Sequence, residues 1–145
     1  MTRRYLLDTN IISHMMLNPD GMVARRAETA MRSPDQPQLC TSIVAQCELA
    51  FGIKKRGSIR LQAALDAQLG SLVVLDLDEG VASHYATLRA HLEAIGQPLG
   101  ANDTLIAAHA LCIDATLVTA DVEFLRVPGL RVENWLTEKA VLIEH

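Results

Sequence analysis

Four acidic residues lie at positions from which their side chains could act on one ion or substrate. Asp8 comes directly after the apolar segment 5–7, and Asp121 follows another apolar segment. Glu48 lies within an apolar helical pattern, and Asp103 stands near the start of a second one. A carboxylate beside a core loses hydration, and that loss is costly unless a helix amino terminus, a basic side chain or a metal ion compensates it.

A shared divalent cation would account for all four acids together. Carboxylates at close range repel one another and raise each other's pKa, and a divalent cation relieves this repulsion. Mg²⁺ and Mn²⁺ both accept oxygen ligands, and Mg²⁺ is the ion we expect here. Such an ion can orient and activate water and stabilise charge on a phosphate group. The pattern therefore favours hydrolysis of phosphodiesters, with one or two bound ions.

Glu48 and Asp103 also have explanations that need no ion. The predicted helical face of Glu48 contains Val44, Cys47 and Phe51, and from that face the carboxylate could extend along the surface to water. Asp103 leads an apolar stripe, but the helix dipole favours any acid in a first helical turn. Neither position is specific by itself.

The fourth acidic position has two candidates. Asp121 is the residue we favour, although it could instead serve as a turn or capping residue, and Glu123 competes with it. Small polar residues beside the predicted strand and helix ends could orient ligands or water, or act only as caps. These supporting residues are Thr9, Asn10, Ser42, Asn102 and Thr119.

Strands and helices are predicted to alternate along the chain. The predicted strands are 5–7, 39–41, 71–77, 115–119 and 131–134, of which 71–77 has the strongest strand pattern. Helices are predicted over 10–17, 22–32, 43–55 and 58–69. A further helix follows the capping residue Asp78 and ends at Gly96, and the last spans about 103–113 with Asn102 as its cap.

This alternation predicts an α/β fold with a central, mainly parallel sheet and helices on both faces. We expect residues 1–145 to form a single domain, because the length suits one domain and no linker interrupts it. Sites in such sheets lie outside the carboxyl ends of the strands, which is where Asp8 and Asp121 are placed. Trp135 and the residues after it give no clear pattern.

The charge balance limits how the chain could bind nucleic acid. The net charge is −4 at pH 7, whereas a protein that binds nucleic acid through bulk charge would be basic. Any attraction must therefore be local. The basic clusters are Lys54, Lys55, Arg56 and Arg60, and Arg25 with Arg26. Both could equally be solvated helix ends, where basic residues are favoured.

We expect a cytoplasmic protein without membrane attachment. The longest apolar stretches fall far short of the roughly 20 residues that span a bilayer. The first residues make a poor signal peptide, because Asp8 interrupts them before any long apolar region develops.

Four segments, in this order, resemble those of the PIN-domain ribonucleases and, more narrowly, of the VapC toxins of bacterial toxin–antitoxin pairs. They are YLLDTNIIS, TSIVAQCELAFG, GQPLGANDTLIAAHAL and ATLVTADVEFLRVPGLRVENW. The resemblance covers nearly the whole chain. Each short motif is unspecific, whereas the order and the VPGLRVENW ending are specific.

The resemblance also assigns residues. The acids of the family fall on Asp8, Glu48, Asp103 and Asp121, and its Thr or Ser near the last acid falls on Thr119. The stretch 119–124 is one residue shorter than in many members of the family. Asp121 and Glu123 therefore compete for the last acidic role in this comparison too.

The resemblance implies a PIN-like three-layer sandwich and a metal-dependent endoribonuclease. Its members are toxins of type II toxin–antitoxin pairs, which inhibit translation and growth by cutting structured RNA. The implied substrate is a transfer RNA anticodon loop, with initiator transfer RNA a candidate, or a ribosomal RNA loop. The implied partners are a VapB-type antitoxin, whose carboxyl-terminal segment lies across the active site, and a second copy of the chain in a homodimer and toxin–antitoxin hetero-oligomer.

Two other interpretations stay open on the residues alone. An aspartyl-phosphate phosphotransfer protein also places Asp at strand ends. A receiver domain, however, needs an acidic pair near its start and a late lysine, and a phosphatase needs a second Asp where this chain has Asn10. A non-catalytic protein-interaction module would use the same acids only as helix caps.

Overall fold

The fold is built around one six-stranded sheet, whose strands come from all along the described part of the chain. The computed structural model describes residues 2–137 and the backbone of residues 141–143. Within this part, the strands are β1 (Arg4–Leu7), β2 (Gln38–Ser42), β3 (Val73–Leu75), β4 (Thr116–Val118), β5 (Val132–Asn134) and β6 (Val141–Ile143). Their order in the sheet is β3–β2–β1–β4–β5–β6. Strands β1 to β5 are parallel, and β6 is antiparallel to β5.

Helices connect the parallel strands and cover the sheet. The described helices are α1 (Thr9–Leu17), α2 (Met22–Met31), α3 (Ile43–Arg56), α4 (Ile59–Gly70), α5 (Glu79–Ala94) and α6 (Ala101–Cys112). A short 3₁₀ helix, Val122–Arg126, follows β4. The arrangement confirms the predicted α/β fold with a central, mainly parallel sheet.

Apolar side chains on the two faces of the sheet form two cores. Leu6 and Leu7 are adjacent in β1 and point to opposite faces, because side chains alternate along a strand. Leu6 packs with residues of α5 and α6. Leu7 packs with residues of α1, α2 and α4. The molecule therefore has three layers, as predicted.

Strand β1 lies at the point where the strand order reverses. The chain first moves outward from β1 to β2 and β3, and then returns to place β4 on the other side of β1. The backbone amide of Asp8 donates to the carbonyl of Val118 at 2.9 Å, so the two strand ends lie side by side. A crevice opens at such a reversal, outside the carboxyl ends of the strands.

Two predictions about local structure were wrong. The strand predicted over 71–77 is only Val73–Leu75, because it lies at the sheet edge and pairs only with β2. Asn102 does not cap the last helix, which begins at Ala101 with Gly100 as its capping residue and no side-chain cap. Asn102 lies instead in the first helical turn, where its side chain is free to reach a neighbouring helix.

Trp135, which had no clear role in the sequence, belongs to the core. It is 2% exposed, and its ring centroid lies 5.3 Å from that of Tyr5. Its indole N–H donates to a carboxylate oxygen of Glu133 at 3.0 Å. Residues 1, 138–140, 144 and 145 lie outside the described residues, and the single-domain assignment for 1–145 stays a prediction.

None of the helices in the described segments has both the length and the apolar character needed to cross a bilayer.

Candidate active site

Asp8 is fixed at the carboxyl end of the central strand. It is 3% exposed and caps α1, with one carboxylate oxygen accepting from the Thr9 amide at 2.8 Å. The other oxygen accepts from the Thr119 hydroxyl at 2.8 Å and from the Asn10 amide group at 3.4 Å. Burial raises the pKa of Asp8, while the bonds from Thr119 and Thr9 lower it.

Asn10 and Thr119 tie the two neighbouring strand ends together. The side-chain oxygen of Asn10 accepts from the Ala120 amide at 3.1 Å, and its amide group donates to the Thr119 hydroxyl at 3.3 Å. That hydroxyl also accepts from the Asp121 amide at 3.1 Å. The segment that carries Asp121 is therefore held against Asp8 by hydrogen bonds on both sides.

Glu48 is half-buried in the middle of α3, and one of its carboxylate oxygens, Oε1, is buried without a hydrogen-bond partner. Burial raises the pKa of Glu48, a hydrogen bond from Asn102 lowers it, and the charge of Asp8 raises it again. The predicted face around Glu48 was only partly right. Val44 is buried, but Cys47 and Phe51 are exposed, because α3 turns a different stripe toward the core.

Asp103 lies in the first turn of α6 and is surrounded by other acids. Its pKa is raised from 3.8 to about 6, first by burial and then by the charges of Asp8, Asp121, Glu48 and Glu123. The same helix buries its inward stripe of apolar residues, as predicted. The structure therefore brings together the four acids that are far apart in the sequence.

Asp121 and Glu123 both belong to this group of acids. Oxygens of Asp103, Asp121 and Glu123 lie within 4.8 Å of one another. Asp121 also caps the 3₁₀ helix, accepting from the Glu123 amide at 2.9 Å. Glu123 differs because it forms a salt bridge with Arg126 at 3.9 Å. We call Asp8, Glu48, Asp103, Asp121 and Glu123 the acid cluster.

The acid cluster suits a divalent cation. Among the described residues, Asp8, Glu48, Asp103 and Asp121 have no salt bridge, so no basic side chain neutralises them. The buried, unpartnered oxygen of Glu48 is costly unless a donor group or a cation binds it. A donor set made of carboxylate oxygens matches Mg²⁺ or Mn²⁺ better than softer metals. The residues present therefore fit such an ion.

Ser42 differs from the other supporting residues because its bonds are to Val44 and His109 rather than to the acid cluster. Its hydroxyl caps α3 by accepting from the Val44 amide at 3.1 Å, and it lies 2.9 Å from Nδ1 of His109. His109 is 1% exposed, and burial lowers its pKa. Sequence reasoning did not select His109, although a single polar residue within LIAAHALC signals a buried side chain that needs a partner.

Two contacts join α3 to α6. The hydroxyl of Ser42, which caps α3, lies 2.9 Å from Nδ1 of His109, and Asn102 of α6 is near enough to Glu48 of α3 to lower its pKa. Ser42 precedes the first residue of α3 and His109 lies near the end of α6, whereas Glu48 lies in the middle of α3 and Asn102 near the start of α6, so the two helices approach each other at two places. Since α3 carries Glu48 and α6 carries Asp103, these contacts fix the distance between two members of the acid cluster.

Comparison with known families and proteins gives a consistent assignment. The family model described as the PIN domain matches residues 5–130. The chain is 35% identical over 134 residues to "Ribonuclease VapC2" of Rickettsia felis, covering 90% of this chain and 97% of that protein. It is 34% identical over 134 residues to "tRNA(fMet)-specific endonuclease VapC" of Shigella flexneri, covering 91% and 98% respectively.

Solved structures show the same similarity. VapBC2 from Rickettsia felis, bound to a DNA fragment from its promoter, matches with a TM-score of 0.83 and 32% identity over 91% of this chain and 98% of that one. DNA-bound VapBC from Salmonella typhimurium matches with a TM-score of 0.80 and 32% identity over 93% and 99%.

The charge of Asp103 should weaken the metal-free fold. Since its pKa is raised from 3.8 to about 6, the folded chain holds this proton more tightly than the unfolded chain, and stability falls as pH rises between those values. We expect Asp103→Asn to raise the Tm in chelator at pH 7.5 by roughly 2–5 °C. This increase in Tm should become smaller as the pH is lowered past 6 and should vanish near pH 4. Scanning calorimetry measures this, with Asp20→Asn in the exposed 18–21 turn as control, and a lower Tm for Asp103→Asn would contradict it.

The Ser42–His109 contact should appear as a coupling energy. Ser42→Ala and His109→Leu each leave the other side chain without its partner, so we expect the double variant to be more stable than the sum of the single losses by about 0.5–1.5 kcal/mol. Urea unfolding measures these differences. Ser58→Ala is a matched control, because Ser58 caps α4 in the same way, through the Leu61 amide at 3.1 Å. The losses of unfolding free energy caused by Ser58→Ala and His109→Leu should add in the double variant. If the losses caused by Ser42→Ala and His109→Leu also add, the coupling is disproved.

Proposed function

The chain belongs to the PIN-domain family, among the VapC ribonucleases, and we propose that it cleaves structured RNA by metal-assisted hydrolysis as the toxin of a type II toxin–antitoxin pair. One observation carries this proposal. Four acids from separate parts of the chain lie near one another at one edge of the sheet, none has a salt bridge within the described residues, and a buried oxygen of Glu48 has no hydrogen-bond partner there. An arrangement of this kind is unfavourable unless a cation binds there.

The residues of the acid cluster would bind the ion and fix its position. Asp8, Glu48, Asp103 and Asp121 are the proposed ligands, and Mg²⁺ is the proposed ion, with Mn²⁺ as a substitute. When bound, the ion supplies positive charge to the phosphate and orients a water molecule. Asp8 needs no reorganisation for this, because Thr9, Asn10 and Thr119 already fix both of its oxygens.

Hydrolysis adds one water molecule across a phosphorus–oxygen bond of the RNA. The fragments then carry a five-prime phosphate and a three-prime hydroxyl. Asn10 and Thr119 act as positioning residues, because they hold Asp8 and the Asp121 segment together. Asn102 orients Glu48, whereas Ser42 acts at a distance by capping α3 and bonding to His109.

The proposed substrate is a loop of a structured RNA. A protein named tRNA(fMet)-specific endonuclease shares 34% identity with this chain, which supports a transfer RNA anticodon loop, that of initiator transfer RNA first. A ribosomal RNA loop is the alternative. Loops suit the site because their unstacked strands expose the backbone. Cleavage of either RNA would inhibit translation and growth.

The proposed partner is a VapB-type antitoxin. Two similar solved structures are VapBC assemblies bound to DNA, which supports a toxin–antitoxin hetero-oligomer, and our proposal includes a homodimer of this chain within it. An active nuclease that cuts cellular RNA must be inhibited until it is needed. We place this pair in the cytoplasm, where its RNA substrates are.

Loss of Asp8 should abolish cleavage without unfolding the chain. Asp8→Asn keeps the helix cap, because Asn also caps helices well, but it removes one charge from the acid cluster. We expect cleavage of initiator transfer RNA with Mg²⁺ to fall on the order of 100-fold or more. Chelator should abolish RNA cleavage by the unaltered chain. Asp78→Asn is the matched control, since Asp78 caps α5 outside the acid cluster. Full activity in excess chelator would exclude a role for the metal.

The two candidates for the fourth acid should differ in metal affinity. Glu123 is partly neutralised by Arg126, whereas Asp121 has no basic partner in the described residues. We therefore expect Asp121→Asn to weaken Mn²⁺ binding roughly tenfold or more, and Glu123→Gln to weaken it less. Calorimetric titration with Mn²⁺ measures both affinities. The reverse order would assign the fourth position to Glu123.

A further inference from the structure

The amino-terminal end of α6, which carries Asp103, begins without a side-chain cap. Gly100 is its capping residue and has no side chain that could accept from the first amides. Asp8 and Ser42, by contrast, cap α1 and α3 with their side chains. The Thr104 hydroxyl donates to the Gly100 carbonyl at 2.8 Å, but this bond stays within the start of α6. The position of Asp103 in the acid cluster therefore depends on contacts between this end of α6 and other elements.

Charge repulsion acts between the start of α6 and the 3₁₀ helix. Oxygens of Asp103, Asp121 and Glu123 lie within 4.8 Å of one another. Asp103 belongs to α6, whereas Asp121 and Glu123 belong to the segment that follows β4. Like charges at this distance repel. The two contacts that join α6 to α3 do not oppose this repulsion, because neither of them involves the 3₁₀ helix.

Arg126 joins these two elements. It is the last residue of the 3₁₀ helix, and its Nη1 donates to the carbonyl of Pro98 at 3.0 Å. Pro98 lies in the loop between α5 and α6, two residues before the capping residue Gly100. Nη2 of Arg126 lies 3.9 Å from a carboxylate oxygen of Glu123. One guanidinium group therefore contacts both the loop that leads into α6 and a member of the acid cluster.

Both segments that Arg126 joins are anchored in the core. Phe124 and Val127, which flank Arg126, are fully buried in the core that lies under α5 and α6. Leu99, the neighbour of Pro98, packs against the same core. A bond between two anchored segments can set the distance between them, whereas a bond between freely moving surface side chains contributes little.

We propose that Arg126 is a positioning residue of the metal site, and that its bond to the Pro98 carbonyl holds Asp103 at the distance from Asp121 at which both bind one divalent cation. This inference rests on the proposed function, which supplies the cation. Arg126 acts through the backbone and touches neither the cation nor the RNA. Its salt bridge is with Glu123, so the carboxylates of Asp103 and Asp121 remain available to the cation.

A purely electrostatic role for Arg126 would have the opposite effect on metal binding. If Arg126 served only to neutralise Glu123, its positive charge would repel a nearby cation, and Arg126→Gln would tighten Mn²⁺ binding. Loss of a positioning bond should instead weaken Mn²⁺ binding, because the repelling ligands would move apart and the cation would have to bring them together again. The direction of the change in affinity therefore separates the two roles.

The test measures Mn²⁺ affinity by calorimetric titration of the full chain, without RNA. We expect Arg126→Gln to weaken Mn²⁺ binding roughly tenfold. Arg126→Lys should weaken it less, because an ammonium group can still donate to the Pro98 carbonyl, although it lacks the fork that also reaches Glu123. The loss caused by Arg126→Gln should persist in a chain that also carries Glu123→Gln, since the positioning bond does not involve that carboxylate.

Arg131→Gln is the matched control for a general loss of stability. Arg131 also donates to a backbone carbonyl and pairs with a carboxylate, those of Asp114, at 2.7 and 3.0 Å. The side chain of Arg131 is 38% exposed and that of Arg126 is 35% exposed. Asp114 follows α6, at the opposite end of the helix from Asp103. We therefore expect Arg131→Gln to lower the Tm in chelator about as much as Arg126→Gln does, and to leave Mn²⁺ affinity unchanged.

Each outcome decides the proposal. Weaker Mn²⁺ binding by Arg126→Gln, both alone and together with Glu123→Gln, would support it if Arg131→Gln binds Mn²⁺ normally. Unchanged or tighter binding by Arg126→Gln would overturn it, and so would a loss that disappears in the Glu123→Gln chain. Equal losses of Mn²⁺ affinity in Arg126→Gln and Arg131→Gln would overturn it as well, because they would reflect general damage to the fold.

Two further results keep the test decisive. If Arg126→Gln does not fold, Arg126→Lys takes its place, and Mn²⁺ affinity equal to that of the unaltered chain would overturn the proposal. If the unaltered chain binds Mn²⁺ and cuts RNA while the Arg126 variants bind Mn²⁺ equally well, only the role of Arg126 fails. If the unaltered chain binds no Mn²⁺, the proposed function fails with it.

Discussion

Repulsion among carboxylates is the constraint on which this structure depends. Burial and the charges of four neighbouring acids raise the pKa of Asp103 to about 6, so the metal-free site holds more negative charge than it can easily stabilise. The rest of the fold must keep these side chains together against that repulsion. A cation bound there would convert the same arrangement from unfavourable to favourable, so our proposal links metal binding, stability and catalysis in one set of residues.

The fold resists this repulsion with hydrogen bonds and helix packing rather than with basic side chains. Asp8 is held by bonds from Thr9, Asn10 and Thr119, all of which start from strand or helix ends beside the point where the strand order reverses. The helices α3 and α6 are joined through Ser42 with His109 and through Glu48 with Asn102. An arginine in the acid cluster would also hold the acids together, but it would occupy the place of the cation.

The sequence predicted best the features that depend on the alternation of elements and on strand ends. The parallel sheet with helices on both faces could be inferred from the alternation of strands and helices, and the positions of Asp8 and Asp121 from apolar segments that are followed by an acid. The sequence predicted less well the features that depend on helix rotation and long-range contacts. Cys47 and Phe51 are exposed because the inward stripe of α3 is set by tertiary packing. Asn102 lies near Glu48, where it lowers the pKa of that carboxyl, because α6 starts one residue before Asn102. The role of His109 depends on a partner 67 residues away.

The surroundings of Asp8 also decide between hydrolysis and phosphotransfer. A phosphorylated aspartate must present a free oxygen along an open path to its phosphate donor. Asp8 is 3% exposed, both of its oxygens accept hydrogen bonds, and the residue two positions later is Asn10, which donates to one of them. This geometry favours our proposal that Asp8 is an oriented ligand, because three donors hold its carboxylate in one position. Burial raises the pKa of Asp8, so a bound cation would stabilise the ionised carboxylate that the proposed ligand role requires.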